Sequence, residues 1–312
     1  MLRQLPRRHS PQLRGYATAA PANGLSVDSA REYCLNLLRK SDYPSHLLTP
    51  FIPSTARDAH LALRALNLEL SLIDTATSNP ILGRMRIQHW RTTLGSLYTA
   101  HPTLNDPISL LLHQHLQTGR SLSKSFLLRL LSAREQYLGG VPFDTLDALE
   151  SYAENTYGSL QYLALESVGV ARGELDHIGS HVGKMVGIVT ILRGVPYVAD
   201  KGTVTLPTRI LADHGVRGED VIRERGDAKG LKDAVFEVAT RANDHLITAR
   251  KMVEETPSCK GLPWATFLSA VPARDYLERL EKKDFDPFEK SLGKKGWLMP
   301  WMLYKAHSGK SF

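Results

Sequence analysis

The stretch from His177 to Pro207, HIGSHVGKMVGIVTILRGVPYVADKGTVTLP, restricts the fold more than any other part of this chain. Gly179, Gly183 and Gly187 recur every four residues, so on an α-helix they form one ridge without side chains, against which a neighbouring backbone can pack closely. Ile178, Val182, Met185, Val189 and Leu192 alternate spacings of four and three and lay an apolar stripe close to that ridge. A helix of this kind belongs in a crowded interior. Pro196 is expected to stop it, because proline lacks the N–H donor and disfavours helical geometry in the residue before it.

Helical periodicity runs through the rest of the chain. Helices are expected over Val27–Lys40, from a capping-box-like Thr55 and Asp58 through Leu61, Ala65, Leu68 and Ile73, over Arg84–Tyr98, Pro107–Gln117 and Ser123–Leu138, and from Asp144 through Thr145–Ser167. Asp42–Pro53, dense in proline, reads as a loop, as does Ser78-Asn79-Pro80. Beyond the central stretch, Pro207 suits the first turn of a short helix ending near Gly215, followed by helices over Glu219–Arg225, Ala228–Glu255, Trp264–Leu280 and an aromatic-rich end. Alternating strand patterns are nearly absent, no repeat recurs at a fixed period, and no low-complexity linker divides the chain after residue 27. A single all-α domain over residues 27–312 is the expectation.

The formal charge of +7 is partly a property of the N-terminus, where Arg3, Arg7, Arg8 and Arg14 precede the first acid, Asp28. Without those four, 35 bases face 32 acids, and no interleaved basic and aromatic motif supports nucleic-acid binding. The same arginine-rich, acid-free opening, dotted with serine, alanine and threonine, reads as a mitochondrial transit peptide and connector over residues 1–26, with Arg14-Gly15-Tyr16-Ala17 as a matrix-protease context. No apolar run reaches the roughly 20 residues of a transmembrane helix. Residence in the matrix, with peripheral attachment to the inner membrane, follows. Cys34 and Cys259 lack metal-ligand spacing, so neither a disulfide framework nor a zinc site is suggested. His177 and His181 stand one turn apart, but no third ligand accompanies them.

Four blocks, ALRALNLELSLID, RMRIQHWRTTL, YAENTYGSLQYLALE and HVGKMVGIVTILRGVPY with VTLP, occur in the order seen in the squalene/phytoene synthase family. The chain resembles that family over residues 27 to 290, and within it the branch of mitochondrial respiratory complex I assembly factors. The resemblance implies an isoprenoid-synthase helical bundle around a central cavity. Active members condense prenyl diphosphates with magnesium ions held by two facing aspartate-rich patches. The first patch corresponds here to NLELSLIDTATS, which offers Glu69 and Asp74, five residues apart and about 140° apart around a helix. In the second, the acidic positions are Gly194, Tyr197 and Val198, and Asp200 lies outside the register. The resemblance therefore implies a pseudoenzyme without metal or other cofactor, with complex I subunits or other assembly factors as partners. A prenyl-diphosphate-using transferase and an isoprenoid- or lipid-binding protein stay open as alternatives.

Lys184, Arg193 and Lys201 are candidate contacts for an anionic headgroup or phosphate, although Arg193 reads first as a structural ion-pair residue. Tyr152, Asn155 and Tyr157 are expected to supply polar contacts inside the bundle. Arg86, His89 and Arg91 around Trp90 read as helix packing with a solvated edge. The segment Lys294-Lys295-Gly296-Trp297-Leu298-Met299-Pro300-Trp301-Met302-Leu303-Tyr304-Lys305 combines bases with large apolar and aromatic residues. It is too short to span a bilayer. Trp297, Trp301, Lys294 and Lys295 suit peripheral lipid contact, and a tail folded back onto the bundle is the competing expectation.

Overall fold

Ser26 opens the first helix with a reciprocal cap: its hydroxyl accepts from the Ser29 N–H at 3.1 Å, and the Ser29 hydroxyl accepts from the Ser26 N–H at 3.0 Å. The computed structural model describes residues 25–76, 79–170, 173–256 and 264–312. The targeting reading of the N-terminus, Ser78 and Cys259 thus lie outside the described residues. The helices are α1 (Val27–Ser41), α2 (Tyr43–Leu48), α3 (Ser54–Ala76), α4 (Pro80–Ser96), α5 (Pro107–Leu116), α6 (Lys124–Gln136), α7 (Leu146–Ala153), α8 (Ser159–Ser167), α9 (Gly173–Ala199), α10 (Thr208–Asp213), α11 (Gly218–Glu224), α12 (Leu231–Glu255), α13 (Ala270–Glu281) and α14 (Met299–Gly309). Among the described residues there is no strand, and the all-α expectation holds.

The central stretch becomes α9, and its stripe is interior: Ile178, Val182, Met185 and Leu192 are fully buried and Val189 nearly so. Gly183 and Gly187 of the ridge meet neighbouring backbone as expected, whereas Gly179 meets side chains of α8. A Cβ on Gly183 would stand 2.4 Å from the Gly158 Cα, and one on Gly187 2.5 Å from the Ala153 Cβ. Leu175–Ala199 has a mean hydropathy of 1.4 and is long and apolar enough to cross a membrane, which corrects the expectation from apolar runs alone. Its place is inside the bundle, packed against α7, α8, α12 and α13. Pro196 does not stop it. The helix runs on to Ala199, with Asp200 N–H donating to the Pro196 carbonyl at 3.1 Å, because Val195 and Ala199 are anchored in the core on either side of the proline.

Other elements depart from expectation for similar reasons. Asp42–Pro53 is not a loop: Asp42 caps α2 through Ser45 N–H, Pro44 sits in the first turn, and a short 3-10 turn follows at Thr49–Phe51. The helix expected over Thr145–Ser167 is continuous but carries a π-turn at Glu154–Gly158, and Thr145, not Asp144, caps it. Gly183 rests on the backbone of that π-turn, Gly187 on Ala153 just before it, and Gly179 on the Gln161 and Leu165 side chains of α8. Trp264–Phe267 is a separate 3-10 turn before α13. Asp58 does not complete a capping box; its carboxylate takes both arms of Arg31 on α1, at 2.7 and 2.8 Å.

Two apolar cores result. α1, α3, α4, α5, α6 and α8 enclose one around Leu66, Leu94, Leu112 and Leu131; α7, α9, α12, α13 and α14 enclose the other around Met185, Val238, Phe267 and Leu303. A polar seam joins them. Arg134 on α6 donates to the Tyr152 hydroxyl at 2.6 Å and to Asn67 Oδ1 at 2.8 Å, so one guanidinium ties α6 to α3 and α7.

Candidate functional site

The space between α2, α3, the π-turn, α9 and α13 is where a central cavity is expected. It is a narrow cleft of about 60 Å³ lined by Arg64, Tyr157, Val186, Val189, Thr190, Arg193 and Pro272. That is room for about two waters. Pockets that bury drug-sized ligands run to roughly 300–1,000 Å³, well above this cleft.

Beside the cleft, the Arg134 guanidinium also lies over the Tyr152 ring, 5.5 Å from its centroid. Burial pushes the Tyr157 phenol up, but Arg134 and hydrogen bonds with Thr190 and Asn67 outweigh it and hold the phenol below the ordinary tyrosine value. Tyr152 and Tyr157 are therefore interior polar groups, as expected. Asn155 is not; its amide donates to Ser151 Oγ at 3.3 Å on the outer side of the turn. The sequence reading missed Arg134. Its signal was there, since it continues the Leu127, Leu131 spacing on the buried face of α6.

The two acids on α3 point apart. Glu69 accepts from the Tyr33 hydroxyl at 3.1 Å, towards α1, and burial pushes its carboxyl above the usual range. Asp74 accepts from the Gly139 N–H at 2.6 Å and so fastens the turn after α6. On α9, Gly194 opens onto free space, with nothing within 4 Å of where a Cβ would stand. Tyr197 is exposed, with the Lys201 ammonium 4.6 Å from its ring centroid. Val198 caps the helix end, its carbonyl accepting from Thr203 N–H at 3.1 Å, while Asp200 pairs with Arg225. Among the described residues, no three His, Cys, Asp or Glu side chains gather as a ligand set.

The three candidate anion contacts are not brought together. Lys184 and Arg193 are nine residues apart on one helix, about 180° around it, and Lys201 lies beyond its end. Lys184 bonds Glu150 on α7 at 3.0 Å, and Glu150 also accepts from Arg241 on α12 at 2.6 Å. Burial raises the Glu150 carboxyl, but Lys184 and Arg241 bring it down to about 2. His181 joins this group by turning to His245 on α12, ring nitrogen to ring nitrogen at 2.9 Å; His177, one turn before it, is exposed. Arg193 makes no ion pair among the described residues, contrary to its expected role. It faces a second cleft, of about 300 Å³, with Lys40, Arg279, Lys294 and Lys295.

The C-terminal segment folds back onto the bundle, the second of the two expectations. Met299, Leu303 and Ala306 bury one side of α14 against the bundle, and Phe312 packs beside Trp264 and Phe267 with its carbonyl accepting from Arg250 at 2.6 Å. Trp297 is 85% exposed, Trp301 61% and Tyr304 55%. The tail folds back and still presents an aromatic outer face.

A helical bundle built on a glycine-ridged central helix, with a cleft between its two cores, defines an isoprenoid-synthase-type fold. The architecture is similar to a dehydrosqualene synthase solved with a ligand, with a TM-score of 0.74 at 16% identity over 91% of this chain and 97% of that one. A squalene synthase from Alicyclobacillus acidocaldarius gives 0.70 at 16% identity, over 84% and 97%. The squalene/phytoene synthase model matches residues 38–301, and the chain belongs to that family. Among curated relatives, NADH dehydrogenase (ubiquinone) complex I, assembly factor 6 of Homo sapiens is 37% identical over 97% of this chain and 88% of its own length. The Bos taurus protein of the same name is 37% identical over 96% and 88%, and the Dictyostelium discoideum homolog 29% over 82% and 71%.

Proposed function

We propose that this protein assists assembly of mitochondrial respiratory complex I and does so without prenyl-transfer chemistry, from the matrix face of the inner membrane. The assembly role rests on the 37% identity to assembly factor 6 along nearly the whole chain, against 16% to the squalene synthases. Its partners are complex I subunits or other assembly factors. The absence of catalysis is supported by chemistry: magnesium–diphosphate clamping needs several carboxylates converging on one space. Glu69 and Asp74 face different neighbours, Gly194, Tyr197 and Val198 carry no charge, and the cleft has a volume of about 60 Å³. Attachment to the membrane is supported by the outward aromatic residues Trp297, Trp301 and Tyr304, together with Lys294, Lys295 and Lys305.

Deleting the protein and resolving complex I on native gels tests the assembly role. Loss of the assembled complex is expected; normal complex with normal activity overturns the reading. Incubating the purified protein with farnesyl or geranylgeranyl diphosphate and magnesium tests the second half. No diphosphate release above a boiled control is expected, and release would restore the enzyme reading.

A further inference from the structure

Among the described residues, the most exposed aromatic groups stand beside a cleft lined by five bases. On α14, Trp301 and Tyr304 stack at 5.8 Å between centroids, on the side away from buried Met299 and Leu303. Trp297 and Leu298 precede them, and Leu298 is 46% exposed. Met299 is both the first residue of that helix and a wall of the cleft of about 300 Å³ that holds Lys40, Arg193, Arg279, Lys294 and Lys295. Only two acids line it, and both are engaged. Asp42 accepts from the Ser45 N–H at 3.3 Å, and Asp275 lies 3.5 Å from Arg279.

Arg279 also donates to the carbonyls of Ser291 and Lys294, so it pins the loop carrying the two lysines to α13. Lys295 extends over the Tyr43 ring, 4.3 Å from its centroid. The bases thus come from four elements: the end of α1, the outer side of α9, α13, and a loop that Arg279 holds in place. Such an arrangement suits a compact anion with several acceptor oxygens. A soluble anion would have no use for two tryptophans held out in water beside the cleft, whereas an indole at the headgroup boundary buries its ring and keeps its N–H wet. Neither apolar insertion nor basic charge alone gives firm peripheral attachment; the two together do.

We infer that this cleft receives the phosphate of an anionic phospholipid of the bilayer on which Trp297, Trp301 and Tyr304 rest, an assignment that rests on the membrane attachment proposed above and names its site and lipid class. Arg193 separates this from loose attraction to charge. Lys294 and Lys295 sit on the loop at the rim, whereas Arg193 lines the cleft from α9, so a phosphate held inside the cleft draws on Arg193 as well as on the two lysines.

The test is cosedimentation of the full chain with phosphatidylcholine vesicles, with and without cardiolipin. Binding is expected only with cardiolipin. It should weaken about tenfold or more in the K294E/K295E and W297S/W301S variants, and severalfold in Arg193→Gln, but not in a charge-matched K229E/K251E control. Circular dichroism melts identify any variant that fails to fold; Arg193→Lys, which keeps the charge, should retain most of the binding. Equal binding to both vesicles, undiminished binding by Arg193→Gln, or full competition by free inorganic diphosphate would each overturn the assignment. Vesicle binding and complex I assembly are read separately. Normal complex I after deletion therefore sinks the assembly role without touching the lipid site, and loss of vesicle preference does the reverse.

Discussion

At the scale of single residues, glycines on one helix do opposite things. Gly183 and Gly187 let α9 press onto the π-turn, where a methyl group would overlap backbone at 2.4 Å and a neighbouring methyl at 2.5 Å. Gly183→Ala should therefore destabilise by about 2–3 kcal/mol, since a close-packed core gives way only at the cost of backbone shifts. Gly194, seven residues beyond Gly187, faces open space, and Gly194→Ala should be neutral or stabilising by up to about 1 kcal/mol from helix propensity. Thermal melts of the two variants side by side check the pair, and equal melting points would refute the packing account. The seam around Arg134 is a second residue-level test. Tyr152→Phe removes an acceptor from a buried guanidinium, and a loss of about 1–3 kcal/mol in chemical denaturation is expected.

At the scale of elements, the glycine ridge and the π-turn are one device. Within the π-turn, Glu154 accepts from the Tyr162 hydroxyl at 2.5 Å and from Ser180 Oγ on α9 at 2.7 Å, so the same five residues hold α9 by contact and by hydrogen bond. The tail helix is held differently. Phe312, 3% exposed, anchors the end of the chain between Trp264 and Phe267, some distance in sequence from the buried side of α14. Phe312→Ala is expected to cost about 2–4 kcal/mol and to speed amide exchange across Met299–Gly309. Unchanged exchange there would show that Met299, Leu303 and Ala306 hold the helix unaided.

At the scale of the molecule, acid stability follows from the histidines and Glu150. Burial pushes His181 and His245 below their ordinary value, and His60 to about 4. The groups facing the His181–His245 pair are Lys184, Glu150, Glu154 and His177, so carboxylates and bases largely oppose one another around it. With folded values depressed, the native state binds fewer protons than the unfolded chain below about pH 6.5, and stability falls as pH drops from there. Glu150, held at about 2, contributes stability above its unfolded value of 4.5 that is lost as pH falls from 4.5 towards 2. Urea midpoints should thus decline steadily below pH 6.5. The H181Q/H245Q double variant should flatten the decline between about pH 6.5 and 5; an unaltered slope would assign it to other groups.

The all-α fold, the buried stripe of α9 and its glycine ridge were legible in the sequence, because helical periodicity and a four-residue glycine spacing are local and survive whatever packs against them. Family membership was legible in four ordered blocks. Pro196 misled because local geometry alone would end the helix there, whereas Val195 and Ala199 are buried by distant residues. Asp42–Pro53 misled in the same way, since three prolines suit both a loop and the starts of short helices. Side-chain direction and assembly across the chain were decided only in three dimensions. Spacing placed Glu69 and Asp74 about 140° apart but not against Tyr33 and Gly139, and nothing in it pairs His181 with His245 or sets Lys40 and Arg279 beside Lys294. Such meetings depend on how α1, α3, α9, α12 and α13 cross, which follows from burying both apolar cores at once and not from any one helix.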